Sequence, residues 1–243
     1  MLFIGSIKDM APEKYEEIWV IVRSLGSVKT GGNVYHVPQL SPSWELFQDY
    51  LSWKRQGLWN KEMFDKEYTP RFLKEMQQQT QLLEVLRKKC VYQDILLVCF
   101  CENENMCHRS LVRRLVMNQY FCLLVAGSRN FNDYDLLKSK LDYLLMNNQG
   151  NRHIIIVSGG ARGADYLAER YANERGYDTR IFPAEWDKYG KSAGYRRNEQ
   201  MHQFLTNYDN RGCVCFWDGQ SKGTQHNFGL CEKNNTPLRI IKF

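Results

Sequence analysis

Three short segments of this chain combine glycine with a hydroxyl or a cation: Gly127-Ser128-Arg129, Ser158-Gly159-Gly160-Ala161-Arg162-Gly163-Ala164-Asp165 and Asp218-Gly219-Gln220-Ser221-Lys222-Gly223-Thr224. Glycine lets a backbone turn tightly and bring its N–H groups close to a ligand, and a helix that starts there adds free donors and positive dipole. Those are the requirements of a phosphate cradle. Arg129, Arg162 and Lys222 supply charge, and an arginine can pair two hydrogen bonds with phosphate oxygens. Any one such loop reads equally well as a short strand-to-helix turn, but three at one expected sheet edge favour the cradle. Neither GxxxxGK[ST] nor GxGxxG occurs, which excludes a standard P-loop NTPase and an ordinary NAD-dependent dehydrogenase.

The elements that must hold these loops alternate regularly from residue 121. Apolar strands FCLLVAG, HIIIVS, DTRIFP, CVCFW and LRIIKF are separated by the helical stretches DLLKSKLDYLL, ADYLAERYANER, SAGYRRNEQMHQFL and GTQHNFGLCEK. Five strands joined by helices predict an α/β, Rossmann-like, doubly wound and mainly parallel sheet, with ligands outside the carboxyl ends of its strands. A fourth segment, Trp186 to Asn198, follows the third strand. Trp186 and Tyr189 could stack on a base or pack the loop, and Arg197 and Asn198 could meet phosphate or ribose at a helix start, or cap it.

The motifs VAGSRNFNDYDLL, IIIVSGGARGADYLAERYANERGY, FPAEWDKYGKSAGYRRNEQM and FWDGQSKGTQHN together resemble the YspA-like branch of the SLOG superfamily, related to the LOG and DprA proteins. The resemblance covers nearly all of residues 120 to 243. It implies a Rossmannoid fold and a site for a phosphate-bearing, nucleotide-derived small molecule, ADP-ribose-like signals in some relatives. The pocket positions it matches are Gly127, Ser128, Arg129, Gly159, Gly160, Arg162, Asp165, Arg197, Asn198, Asp218, Ser221, Gly223 and Thr224; Ser158, Gly163, Trp186, Gly219 and Lys222 join them as ligand-binding candidates from the loops. LOG enzymes carry a catalytic Glu in PGGxGTxxE, and here Asn227 stands in its place. Asn has no ionisable proton near neutral pH, so binding is expected ahead of hydrolysis. Asp165, Glu185, Asp187, Asp218 and His226 are the groups that could substitute, and no catalytic residue is assigned.

Residues 1 to 118 read as a smaller α/β domain and 119 to 243 as the SLOG-like one. EIWVIVRSL (17–25) and DILLVCF (94–100) are buried strands, Ser43 caps a helix beginning WELFQDYLSWKRQG, and residues 60 to 88 form an amphipathic cover helix broken near Pro70. A further helix starts near Cys107. The run Cys99-Phe100-Cys101-Glu102-Asn103-Glu104-Asn105-Met106-Cys107-His108-Arg109 gathers thiols, an imidazole and a guanidinium. Zinc accepts such ligands, but adjacent Cys107 and His108 would have to converge with Cys99 and Cys101, and no CxxC knuckle is present, so no metal and no cofactor is predicted. Cys107 with Arg109 could instead form an anion site at a helix N-terminus, where a thiolate is stabilised. A cysteine-phosphatase loop is not supported for this pair, because CxxxxxR needs five residues between cysteine and arginine and Arg109 follows Cys107 after one only. SPSWELFQDYLSWKRQGLWN, YTPRFLKEM and LLVCFCENENMCHRSLV resemble an uncharacterised bacterial family with a C-x-E and C-H-R core. That likeness makes Cys101, Cys107, His108 and Arg109 the candidate site here.

The excess of 33 basic over 27 acidic residues is spread over both halves, which makes nucleic acid, by analogy with DprA, the less favoured partner. No apolar run approaches the ~20 residues of a membrane span, and the first residues lack a secretory apolar core, so a cytosolic protein with reduced cysteines is expected. The resemblance suggests a sensor or sponge for a nucleotide signal, placed in host cytosol if a phage encodes it, and a possible homo-oligomer. Hydrolysis of N-glycosidic or phosphate bonds is the alternative.

Overall fold

The computed structural model describes residues 1–146 and 152–243. The chain divides into two compact units, Met1–Val116 and Met117–Phe243.

The first unit is built on four parallel strands: β1 (Leu2–Ser6), β2 (Glu17–Val20), β3 (Val34–His36) and β4 (Ile95–Cys99), in the order β1-β4-β2-β3. β4 is buried at every position, as a central parallel strand covered on both faces must be. The reading of residues 17–25 as one strand is shortened, since pairing with β3 stops at Val20–His36. Ile21 still donates its amide to Val98, which keeps the chain beside β4 for one more residue. Helix α1 (Trp44–Arg55) starts where expected, with the Ser43 hydroxyl accepting from the Leu46 amide at 3.2 Å. The cover segment is α2 (Lys61–Met63), a π-helical turn over Phe64–Tyr68, α3 (Thr69–Met76) and α4 (Thr80–Tyr92). Pro70 falls in the first turn of α3, where its missing N–H costs no helical hydrogen bond, and the wider π turn just before it absorbs the ring. Helix α5 (His108–Met117) follows β4 after a turn through Glu104–Met106.

The second unit carries β5 (Tyr120–Gly127), α6 (Tyr134–Leu145), β6 (His153–Ser158), α7 (Ala164–Arg175), β7 (Asp178–Ile181), the short α8 (Trp186–Tyr189), α9 (Ala193–Leu205), β8 (Arg211–Trp217), α10 (Lys222–Lys233) and β9 (Leu238–Lys242). All five strands pair in parallel, in the order β7-β6-β5-β8-β9. This is the doubly wound sheet expected from the alternation of strands and helices. Alternate residues Leu123 and Val125 of β5, Ile154 and Ile156 of β6, and Val214 and Phe216 of β8 share one face. There they pack with Leu137, Leu141 and Leu145 of α6 and Ala164, Ala168 and Tyr171 of α7. Helices α9 and α10 pack on each other and on β5. The chain winds outward in both directions from β5, so a crevice opens between the ends of β5 and β8, the position where such sheets bind ligands.

Leu141 is fully buried in this core, whereas Tyr143 on the same helix is 67% exposed. Leu141→Ala should cost about 2–5 kcal/mol, read as a lowered urea midpoint in the full chain, while Tyr143→Ala should shift it by no more than about 0.5 kcal/mol.

Candidate functional site

The glycine loops follow the carboxyl ends of β5, β6 and β8 and meet at that crevice. A cleft of about 460 Å³ is lined there by Gly127, Arg129, Asp165, Trp186, Arg197, Asn198, Asp218, Ser221, Gly223, Thr224 and Asn227, among others. A second hollow, of about 320 Å³, shares Arg129, Trp186 and Arg197 with it and adds Gly159, Gly160 and Arg162. The combined space suits a nucleotide-sized ligand. The helices α7 and α10, each of 12 residues, begin at its wall, with Asp165 of the one and Gly223 and Thr224 of the other lining it, and the first turn of a helix carries the positive end of its dipole.

The centre of the site is an ion pair. Arg197 Nη1 lies 3.2 Å from Asp165 Oδ2, with both side chains largely buried, and the same carboxylate oxygen accepts from the Gly159 amide at 3.2 Å. Arg197 can reach Asp165 only because residue 159 has no side chain: a Cβ there would coincide with its guanidinium. Gly163, at φ +85°, is likewise pressed against the Ser128–Arg129 backbone, and a Cβ on Gly127 would meet the Ala164 Cβ at 2.6 Å. These glycines serve close packing as well as ligand access. Burial pushes the Asp165 carboxyl up to about 6, against the pull of Arg197. Burial also lowers Arg197, with Arg129 nearby adding to the effect, although a guanidinium stays charged. Arg197 Nε is buried and makes no hydrogen bond among the described residues. Arg129 lies over the ring of Trp186 at 5.5 Å, which leaves that half-exposed indole at the cleft wall.

Several sequence candidates build the loops rather than face the cleft. Ser128 is buried and accepts from the Asp218 amide at 3.2 Å, tying the β5 loop to the β8 loop. Ser158 donates to Glu169 at 2.6 Å and accepts from the Gly160 amide at 3.1 Å, which shapes the turn. Gly163 and Gly219, the latter at φ +82°, supply backbone bends, and Lys222 is exposed in the first turn of α10, outside both lining sets. Conversely Asn130, Lys191 and Tyr195 line the cleft although they stand outside the three glycine loops, and nothing in their spacing marks them.

Asp165 and Asp218 are the two carboxylates lining the cleft among the described residues. The Ser221 and Gln220 amides hold Asp218 below its ordinary range. Asn227 is buried, donating to the Gly223 carbonyl at 3.3 Å and accepting from His202 Nε2 at 3.3 Å. Burial pushes His202 down to about 4, which keeps it neutral as that donor. Burial also lowers His226, whose Nδ1 lies 3.4 Å from the Asn198 amide nitrogen. Glu185 and Asp187 are exposed around α8 and stand outside the lining.

In the first unit Cys99 ends β4, and the turn to α5 returns Cys107 and His108 to it. Donor atoms of Cys99, Cys101, Cys107 and His108 all lie within 4.8 Å of one another. Adjacent Cys107 and His108 thus meet the requirement, counted against a metal from the sequence, that they converge with Cys99 and Cys101. Cys107 is not yet helical: at φ −137° and ψ 146° it is extended, so its side chain and that of the first helical residue turn the same way. Arg109, 1% exposed, donates to Cys99 Sγ at 3.1 Å and to the Cys101 carbonyl at 2.8 Å. Hydrogen bonds from Cys101 and Cys107 hold the Cys99 thiol far below the usual range, and hydrogen bonds to Cys101 and then to Cys99 push Cys107 up. The four residues line a cavity of about 290 Å³ whose other walls include Trp44, Phe47, Tyr50, Trp59 and Tyr68. The amphipathic reading of these helices gave no sign that their aromatic residues enclose a space.

Residues 5–120 match the model described as the active DUF488-N3 subclade, and residues 122–189 match that of the YspA, cpYpsA-related SLOG family. The chain joins a DUF488-N3 domain to a SLOG domain. Over 125 residues, 48% of this chain and 92% of the relative, it is 32% identical to the Gene 61 protein of Mycobacterium phage D29. The SLOG match points to binding or processing of a nucleotide-related ligand. Its span ends at residue 189, so the contribution of Arg197 and of the Asp218–Thr224 loop to the SLOG site rests on the geometry above. No helix among the described residues is long and apolar enough to cross a membrane.

The raised Asp165 fixes a sign for pH dependence. Between its unfolded value of about 3.8 and its folded value of about 6 the native state binds more protons, so Asp165 lowers stability progressively as pH rises through that window. Asp165→Asn removes this titration, and its stability relative to the native chain should improve by up to about 3 kcal/mol from the bottom to the top of the window. Paired denaturant melts across pH measure it, and parallel pH profiles would show that Asp165 does not titrate this way.

Proposed function

We propose that the SLOG domain captures a phosphate-bearing, nucleotide-derived small molecule and holds it intact, as a sensor or sponge of a signal of the ADP-ribose or cyclic-nucleotide class. The observation that carries this reading is the convergence of Arg129, Arg197 and two helix N-termini on one cleft. Arg197 is already oriented by Asp165 and keeps a buried donor, Nε, for an incoming oxygen. Trp186 and Tyr195 offer aromatic surface at the wall for a base. Binding is placed ahead of cleavage because Asn227 has both ends of its amide occupied and cannot exchange a proton, while Asp218 is held by backbone amides. The phage relative is consistent with a sponge acting against nucleotide signalling in a host.

A hydrolase is the second reading, and one observation favours it: Asp165 lines the cleft and sits at about 6, in the range where a carboxyl acts as general acid.

Calorimetry with ADP-ribose, cyclic ADP-ribose isomers and cyclic nucleotides tests capture. Arg197→Ala should weaken the responding ligand at least about tenfold, since a hydrogen bond to a charged group is worth about 1.5–3 kcal/mol. Gly159→Ala should do the same by displacing Arg197. Absence of heat with every probe overturns capture, and recovery of free base or ribose phosphate after denaturing the complex replaces it with hydrolysis.

A further inference from the structure

The cysteine–histidine cluster of the DUF488-N3 domain is independent of the SLOG cleft and of the function proposed for it. We propose that Cys99, Cys101, Cys107 and His108 bind one soft divalent cation, zinc by preference, in a closed four-coordinate site that fastens the end of β4 to the start of α5.

Donor spacing is the first argument. Tetrahedral zinc with bonds of about 2.3 Å to sulfur and 2.0–2.1 Å to nitrogen places its ligand atoms about 3.5–3.8 Å apart. Cys99 Sγ and Cys107 Sγ are 3.2 Å apart, Cys107 Sγ and His108 Nδ1 are 3.8 Å apart, and all four donors fall within 4.8 Å of one another. Drawing them around one ion needs sub-ångström adjustments of side chains. The thiols are not joined as a disulfide.

The histidine is the second. Its Nε2 lies 2.8 Å from the Ile21 carbonyl, which can only accept, so the proton of a neutral ring is fixed on Nε2. Nδ1 then presents its lone pair to the cysteines. A metal-ligating histidine almost always has this arrangement, the second nitrogen donating to a carbonyl or carboxylate.

Charge is the third. Arg109 is fully buried, a costly place for a cation without an anion beside it. Its nearest carboxylate, Glu104, is 55% exposed and 3.8 Å away, and its Nε finds no partner among the described residues. A divalent cation with three thiolates and a neutral imidazole carries one negative charge, and Arg109 already donates to the Cys99 sulfur and the Cys101 carbonyl. Residue type decides the metal: three thiolates and an imidazole select zinc over magnesium or calcium, which take oxygen ligands.

The test is elemental analysis of the full chain, purified under reducing conditions and desalted, with cobalt(II) titration of metal-stripped protein. About one zinc per chain and a thiolate-to-cobalt charge-transfer band are expected. Cys101→Ser and Cys107→Ser should lose most of the metal, whereas Cys90→Ser, a buried cysteine outside the cluster, should retain it. Protein that is folded by circular dichroism, with all thiols reduced, yet holds no zinc and gives no cobalt band overturns the proposal. So does loss of two thiols to a Cys99–Cys107 disulfide without bound metal. The cobalt titration of the unmutated chain keeps both results readable if a variant fails to fold.

Discussion

The SLOG cleft depends on one buried contact, the pair between Arg197 of α9 and Asp165 of α7. Three separate pieces of chain meet in it, because Asp165 also accepts from the Gly159 amide at the end of β6. Desolvating both charges is expensive, and their mutual attraction offsets it only with good geometry and further hydrogen bonds. The elevated carboxyl of Asp165 is the visible residue of that cost. In return the guanidinium is fixed in place before any ligand arrives, which reduces the ordering that binding would otherwise require.

That contact also explains why glycine recurs around the cleft. Gly159 makes room for Arg197, Gly163 for the Ser128–Arg129 backbone and Gly127 for α7, so the loops are spaced by packing before they are spaced by a ligand. Ser128 and Ser158 then lock the loops to one another and to α7. A motif that looks like a set of phosphate donors is thus partly a scaffold, and fewer of its residues reach the cleft than the motif contains.

The first unit repeats the theme with different chemistry. Its β4 is also a central strand of a parallel sheet, and its carboxyl end also delivers side chains to a buried arginine, Arg109. There the guanidinium donates to a cysteine sulfur and a backbone carbonyl, while Arg197 meets a carboxylate. The neighbouring cavity is walled by aromatic rings, whereas the SLOG cleft is lined by arginines, aspartates and amides. The two linings differ in chemistry, one apolar and aromatic, the other polar and charged.

The sequence alone determined the alternation of β5 to β9 with their helices, because central parallel strands are continuously apolar and the helices between them are periodic. It also determined that Arg129, Arg197 and the β8 loop belong to one sheet edge, since parallel strands place every following loop at the same end. It did not reveal β1, whose few apolar residues are followed at once by charges, or β3, which is three residues long, or the early end of β2, which is set by where β3 stops pairing. Only the tertiary structure decided that Asp165 serves Arg197, that Lys222 stands outside the cleft and that Cys107 and His108 turn toward Cys99. Each depends on side-chain direction at a loop or helix start, where a single dihedral re-aims a residue and no periodicity records it.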